Sequence, residues 1–384
     1  MIRALLKWAL FNGFLALHDL REAWRERGHV RQLRSPDYSN LLLALESAGA
    51  TRLAVVAPHP TRPLVFSLRN LVAALLAEGY EVVVLSCAPK DMAWLPAEFP
   101  SVHLAPRNMT GRDFGAWKFL LQSVLGSDTL RSRLDDLILV NDSAFYSRTG
   151  TRDVVAWLRG IRKAWACVFE THEIHYHAQS FLLKFSGDAV RNPAFSAFWA
   201  GYQPYSSRKH SIGAGEVGLS SVMRAALGLP ECYVTPTRML AALQAADERQ
   251  ILASVRAMEH GFALSGYGFR DVRRALGLAP FANGSYAQSP NYELARRAVS
   301  DAAIELMESR NAAHAVGVLA NLLMHTPVKR DLCYRGVYRI GQILQLCSGF
   351  DAEELQSMEE DLRSMGEPES LTGRRKFLYG VGRI

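Results

Sequence analysis

The chain has 384 residues, 49% of them hydrophobic and 21% charged, with a formal net charge of +7. That length and apolar content exclude a disordered protein and allow one large domain with an extension, or two domains. The positive balance suits phosphate-bearing ligands or an anionic membrane surface, while Lys and Arg spread along the whole chain, with no recognised binding motif, argue against nucleic acid.

Residues 1–28, MIRALLKWALFNGFLALHDLREAWRERG, are apolar and basic together. The apolar stretch from Ala9 to Leu17 is broken by Asn12 and Gly13 and falls short of the ~20 residues that cross a bilayer. It also has no small-x-small cleavage site. An interfacial helix, with Arg3, Lys7, Arg21, Arg25 and Arg27 beside Leu5, Trp8, Phe11 and Phe14, and a helix packed on the protein body remain equal readings.

From Arg52 to about Phe185, short apolar runs alternate with helical stripes, which predicts an α/β domain with a largely parallel sheet. The expected strands are Leu53 to Ala57, Glu81 to Cys87, Val102 to Ala105, Leu137 to Val140, Ala166 to Phe169 and Ser180 to Phe185. Leu64 to Glu78 and Phe114 to Leu125 carry apolar residues at three-and-four spacing and read as helices buried along one side. After Gly187 the pattern is helical: Pro193 to Tyr202, Glu216 to Leu227, Tyr292 to Glu308, Ala312 to His325, Asp331 to Leu346 and Asp351 to Met365. The Gly, Pro, Asn and Ser of Gly277 to Pro290 mark the best internal boundary. The expected division is an N-terminal helical segment (1–50), a nucleotide-binding α/β domain (51–276) and a helical C-terminal region (277–384). Five scattered cysteines, with no CxxC pair, indicate neither a disulfide framework nor a zinc site.

Ligands of open α/β sheets sit beyond the carboxyl ends of the strands, so the segments leaving those ends carry the chemistry. The first strand ends in Ala57-Pro58-His59-Pro60, a bend that reads either as a cradle for a base or ribose at His59 or as a proline turn. The third leads into Arg107-Asn108-Met109-Thr110-Gly111-Arg112-Asp113, which opens onto a helix carrying Lys118. Backbone N–H groups there, with Arg112 and Lys118, suit a diphosphate, and Asp113 either accepts from a sugar hydroxyl or caps the helix. The fourth strand delivers Asn141-Asp142-Ser143, where Asp142 is placed for a divalent cation, although the same tripeptide forms ordinary Asx turns.

Glu170 to Ser180 packs Glu173, His175, His177 and Gln179 into one stretch. Without HExxH or a cysteine partner, hydrogen bonding to sugar hydroxyls by His175, His177 and Gln179 is a better expectation than a metal. Glu216 opens the helix after Gly215, as a capping charge or a catalytic carboxylate.

In this order, NMTGRDFGAWK (Asn108 to Lys118), LILVNDS (Leu137 to Ser143), HYHAQSFLLKF (His175 to Phe185), AFSAFW (Ala194 to Trp199) and EVGLS (Glu216 to Ser220) resemble the rhamnan synthesis protein F family of polysaccharide glycosyltransferases. Asn311, His314 and Val328-Lys329-Arg330-Asp331-Leu332 extend the resemblance to about Leu332. The chain departs from that family's pattern at Arg112 and Gly215, where members often carry tyrosine.

The resemblance implies a fold similar to the glycosyltransferase A type, a single Rossmann-like sheet, with a helical C-terminal extension. It implies a nucleotide-sugar donor, commonly dTDP-L-rhamnose, and a lipid-linked glycan acceptor in a cytoplasmic assembly pathway; residues 1–28, on the interfacial reading of their own pattern, would add a peripheral contact on the membrane's inner face. Donor-binding roles then fall to His59, Asn108, Gly111, Arg112, Asp113, Lys118, Asp142, Lys329 and Arg330, and acceptor-binding roles to His175, His177 and Gln179. Asp142 would be the ligand for Mg2+ or Mn2+, in a motif lacking the usual second acid. Inversion at the anomeric carbon calls for one base, with Glu216 the first candidate and Glu173 the second.

The competing class is a non-catalytic sugar-nucleotide-binding or scaffold subunit of a polysaccharide assembly complex. An NAD-dependent or methyl-transferring protein is disfavoured because PHPTRP after the first strand contains no glycine.

Overall fold

The computed structural model describes residues 13, 21, 24–28, 30–59, 63–173, 175–263, 292–334 and 338–366. Most of 1–28, and the expected boundary at 277–290, lie outside the described residues. Eleven strands are assigned among the described residues: β1 (Arg52–Ala57), β2 (Glu81–Ser86), β3 (His103–Pro106), β4 (Asp136–Asn141), β5 (Ala144–Phe145), β6 (Trp165–Cys167), β7 (Glu170–Thr171), β8 (His177–Ala178), β9 (Leu182–Ser186), β10 (Glu231–Cys232) and β11 (Val328–Lys329). Seven form the central sheet in the order β10-β6-β9-β4-β1-β2-β3, and two pairs, β11-β5 and β7-β8, stand apart from it. All six expected strands are present, shifted at their ends by a residue or two.

The sheet is mostly parallel, as expected, with one exception. β9 runs antiparallel to β4 on one side and to β6 on the other, and every other pairing is parallel. Six strands therefore release their chains at one edge, and β9 enters from that same edge, with Leu182 opposite Val140.

Each strand feeds two cores, because successive side chains point to opposite faces. Ala54, Val56, Ile138 and Val140 belong to one apolar cluster, and Leu53, Val55, Leu137 and Leu139 to the other. The first face is covered by the helices Val65–Ala77 and Arg148–Gly160 and by the later helices from Pro236–Ala245 to Ala352–Met365. The second is covered by the helices Ser39–Ser47, Arg112–Gly126, Pro193–Gly201 and Gly218–Leu227. Strands buried on both faces explain why the sequence gives near-continuous apolar runs in place of alternation.

Two expected helices differ. Between Asp331 and Leu346 only Ile340–Leu346 is helical among the described residues, and residues 331–334 form a turn. Ion pairs of Arg330 and Asp331 hold the chain there against the sheet edge. Glu216 does not open an α-helix. It lies near the end of a π-helix, Ser211–Val217, which runs into Gly218–Leu227. Gly213, Gly215 and Gly218 weaken the tighter α-helical alternative. Among the described residues, no helix is long and apolar enough to cross a membrane.

Candidate functional site

Polar groups gather at the carboxyl edge of the sheet because the chain leaves the ladder there and its side chains find new partners. Arg107, just past β3, is buried and sews the edge together, its guanidinium donating to the carbonyls of Pro58 (3.1 Å) and Arg112 (2.8 Å). Asn108 turns away and donates to the Arg34 carbonyl at 3.0 Å. Gly111 then adopts φ +87°, and a Cβ there would meet Pro204 Cβ at 2.5 Å, so this approach requires glycine. Arg112 follows with φ +54°, and its Nε donates to the Ser206 carbonyl at 2.9 Å.

The helix Arg112–Gly126 takes Gly111 as its N-cap, so Asp113 is not the N-cap residue, although its Oδ1 accepts from the Phe114 N–H of the first turn at 3.0 Å. Asp113 sits in the first turn and faces across the sheet edge. Its carboxylate accepts from the Asn141 side-chain amide and from Ser211 Oγ at 3.4 Å.

At the end of β4, Asp142 is buried and accepts from Arg330 Nη1 at 3.3 Å and from the His59 backbone N–H. Burial raises the Asp142 carboxyl above its ordinary value, against the pull of Arg330. Arg330 is shared: its other nitrogens donate to Asp361 at 2.6 and 3.0 Å. The antiparallel β11-β5 pair brings Arg330 here, and sets Lys329 Nζ 3.2 Å from Ser143 Oγ and 5.2 Å from the Phe181 ring centroid.

Glu216 reaches the same edge from the π-helix. Its Oε1 accepts from Ser180 Oγ at 2.5 Å and from Ser180 N–H at 3.4 Å, and its Oε2 lies 3.5 Å from His177 Nε2. His177 Nδ1 is 2.8 Å from the His175 carbonyl, a contact that places the proton on Nδ1, and Gln179 Nε2 stands 3.2 Å from Nε2. Ser211, in the same π-helix, is the residue that touches Asp113, and Gly215 packs so closely on the Phe114 ring that a Cβ would stand 2.9 Å from it. A tyrosine at 215 would displace that ring.

A basic side completes the edge. Asp331, next to Arg330, pairs with His314 Nε2 at 3.0 Å and with Arg208 at 3.6 Å. Burial would raise its carboxyl, but His314, Lys329 and Arg208 together hold it well below the ordinary carboxylate range. The contacts close on themselves: Asp113 to Asn141, along the chain to Ser143, to Lys329, along to Asp331, to Arg208, along to Ser211, and back to Asp113.

Asp113, Asp142, Lys329 and Arg330 lie on this circuit, while Glu216, His177 and Gln179 form a second contact group at the same edge, connected to it through the π-helix that carries Ser211 and Glu216; other expected residues stand aside. Lys118 is buried and donates to the Ala200 and Tyr202 carbonyls at 3.1 and 2.5 Å, where it caps the end of Pro193–Gly201 in place of the expected diphosphate contact. Glu173 and His175 are exposed on the β7-β8 hairpin, and the His59 residue is exposed beyond β1. The donor set at Asp142 does not fit Mg2+ or Mn2+. The carboxylate is already bonded to a guanidinium, and among the described residues no three His, Cys, Asp or Glu side chains stand together as metal ligands.

Sequence reasoning passed over Arg208 and Ser211, which lie in no motif, and gave no role to Asn141, Ser180, His314 or Asp331, although each stands in a quoted motif. No family model matches the chain, and no curated protein does.

Proposed function

We propose that the chain is a glycosyltransferase, moving a deoxysugar such as L-rhamnose from a nucleotide-sugar, dTDP-L-rhamnose in the motif-based reading, onto a lipid-linked cell-surface polysaccharide acceptor. One observation carries this reading: Asp113 and Glu216, from segments far apart in the chain, stand partly buried at one sheet edge and are joined through a single π-helix. The lone antiparallel β9 beside β4 in an otherwise parallel sheet supports the glycosyltransferase A-type variant of the fold.

On this reading Glu216 is the base. Ser180 holds its carboxylate, which takes the proton of the acceptor hydroxyl as that oxygen attacks the anomeric carbon from the face opposite the diphosphate. Asp113 orients the donor sugar or ribose through its hydroxyls. Membrane contact through residues 1–28 belongs to the same proposal.

The test is nucleotide release in the presence of a lipid-linked acceptor. Glu216→Gln is expected to lower turnover by roughly 10²- to 10⁴-fold while calorimetry finds donor affinity unchanged. Parent-like turnover in the variant removes Glu216 from the role of base. Donor binding with no release by the parent makes the chain a binding subunit.

A further inference from the structure

A transferred sugar leaves behind a diphosphate whose growing charge must be met by a cation or by preorganised donors. Of the groups expected to do this, Lys118 is committed to two backbone carbonyls, Arg330 to the buried pair Asp142 and Asp361, and Arg112 is turned to the Ser206 carbonyl through its Nε. Three cationic or proton-bearing side chains remain along the edge. Lys329 bonds only Ser143 Oγ and the Phe181 ring face, and has no carboxylate within ion-pair distance among the described residues. Arg208 and His314 converge on Asp331 from different elements, the short helix Arg208–His210 that runs into the π-helix and the helix Ala312–Ala315.

The cluster is reachable from solvent, since the side chains of Arg208 and Asp331 keep 27% and 30% of their exposure. Its net charge is positive, because Arg208 and Lys329 outnumber the single carboxylate of Asp331 whatever the state of His314. It also lies on the closed circuit that holds Asp113, between the donor-orienting acid and the C-terminal helices.

We infer that Arg208, His314 and Lys329, set around Asp331, form the seat of the donor's diphosphate and supply the positive charge that a divalent cation would otherwise bring to Asp142. The inference deepens the transferase reading and rests on it for the identity of the ligand. Asp331 acts as an internal counter-anion that keeps the three side chains in place and yields part of their hydrogen-bonding capacity when the diphosphate enters.

The experiment is calorimetric titration of the full chain with inorganic pyrophosphate and with dTDP, in EDTA and again in Mg2+. The parent is expected to bind both without metal. Arg208→Gln and Lys329→Gln should each weaken binding by roughly tenfold or more, the loss expected for a charge-assisted hydrogen bond. Asp331→Asn removes the competing carboxylate and should bind at least as tightly as the parent. Thermal unfolding of each variant separates a seat from a scaffold, because a scaffold role would lower the stability of all three variants and leave pyrophosphate affinity unmoved. Unchanged affinity in both cation variants, or binding by the parent that appears only with Mg2+, overturns the seat. If the affinities fall as expected but no nucleotide-sugar is ever turned over, the seat stands and the transferase reading fails.

Discussion

The two ends of β4 each set an aspartate against a cation, and they are built for different purposes. At the amino end, Asp136 pairs with Lys184 at 2.9 Å, and Lys184 Nζ also donates to the Ile161 carbonyl at 2.6 Å with its side chain only 2% exposed. That pair is closed: an apolar sheet surrounds it and the contacts lead no further. At the carboxyl end, Asp142 shares Arg330 with Asp361, and from there contacts pass through Ser143, Lys329 and Asp331 to Arg208 and Asp113. Similar ion pairs thus make a staple at one end and part of a partly exposed circuit at the other. The difference follows from topology, since six strands release their polar connections at the carboxyl edge.

The sharpest way to break this comparison is to remove the cation at each end. Arg330→Met leaves two buried carboxylates, Asp142 and Asp361, without their partner and is expected to cost about 3–5 kcal/mol, the range for uncompensated buried charge. Lys184→Met leaves one, Asp136, and should cost less. Replacing both members of the closed pair, Asp136→Leu with Lys184→Met, should recover most of that loss, because a self-contained buried pair exchanges well for apolar packing. Urea unfolding of the three variants gives the ranking. A greater loss from Lys184→Met than from Arg330→Met would mean that the amino end is the more heavily used of the two.

How much of this could be read from the sequence depends on how far apart the partners lie. The strands Leu53 to Ala57 and Leu137 to Val140 were legible because burial on both faces leaves unbroken apolar runs. Asp113 and Glu216 were legible as acids at the mouths of helices, although neither is the cap. Lys118 was misjudged because nearness in sequence does not fix direction: five residues along an α-helix turn a side chain about 140° around the axis. Arg208 was invisible, since its partner Asp331 lies far down the chain and the residues around it form no periodic pattern. The helix expected from Asp331 to Leu346 failed for a related reason, because residue propensity cannot register ion pairs made with distant segments.

A smaller effect separates the two ends by pH. Burial raises the Asp136 carboxyl above its ordinary value, against Lys184, so the folded protein keeps that proton to higher pH than the unfolded chain does. Stability from this group therefore declines as pH climbs from the ordinary aspartate range through the raised folded value, at most about 1.4 kcal/mol per unit of displacement. Asp331 is displaced the other way by His314, Lys329 and Arg208, which outweigh its burial. Its contribution is complete above the ordinary aspartate range and is lost as pH falls through the lowered folded value. Urea unfolding between about pH 3 and 6 should find a flatter decline in Asp136→Asn and a flatter acid-side rise in Asp331→Asn. Slopes of the same sign removed by both variants would contradict the opposition between the ends.

The smallest expected effect concerns how the open end aims its acid. Ser180 gives Glu216 two donors, Oγ at 2.5 Å and the backbone N–H at 3.4 Å, and β9 constrains both because Ser180 lies two residues before the strand's start at the sheet edge. Ser180→Ala removes the nearer donor and keeps the farther one, so the carboxylate stays at the edge with less constraint on its direction. One hydrogen bond to a charged group contributes about 1.5–3 kcal/mol where no water replaces it. The Glu216 side chain, 14% exposed, can recruit water in compensation, which brings the expected loss to about 1 kcal/mol. Under the transferase reading this appears as roughly a fivefold lower kcat with KM for the donor unchanged, since Ser180 touches the base and not the Asp113 circuit. Ser180→Thr, which retains the hydroxyl, should restore most of the rate. A loss in KM with kcat intact would instead place Glu216 on the donor side of the site and pass the role of base to another group.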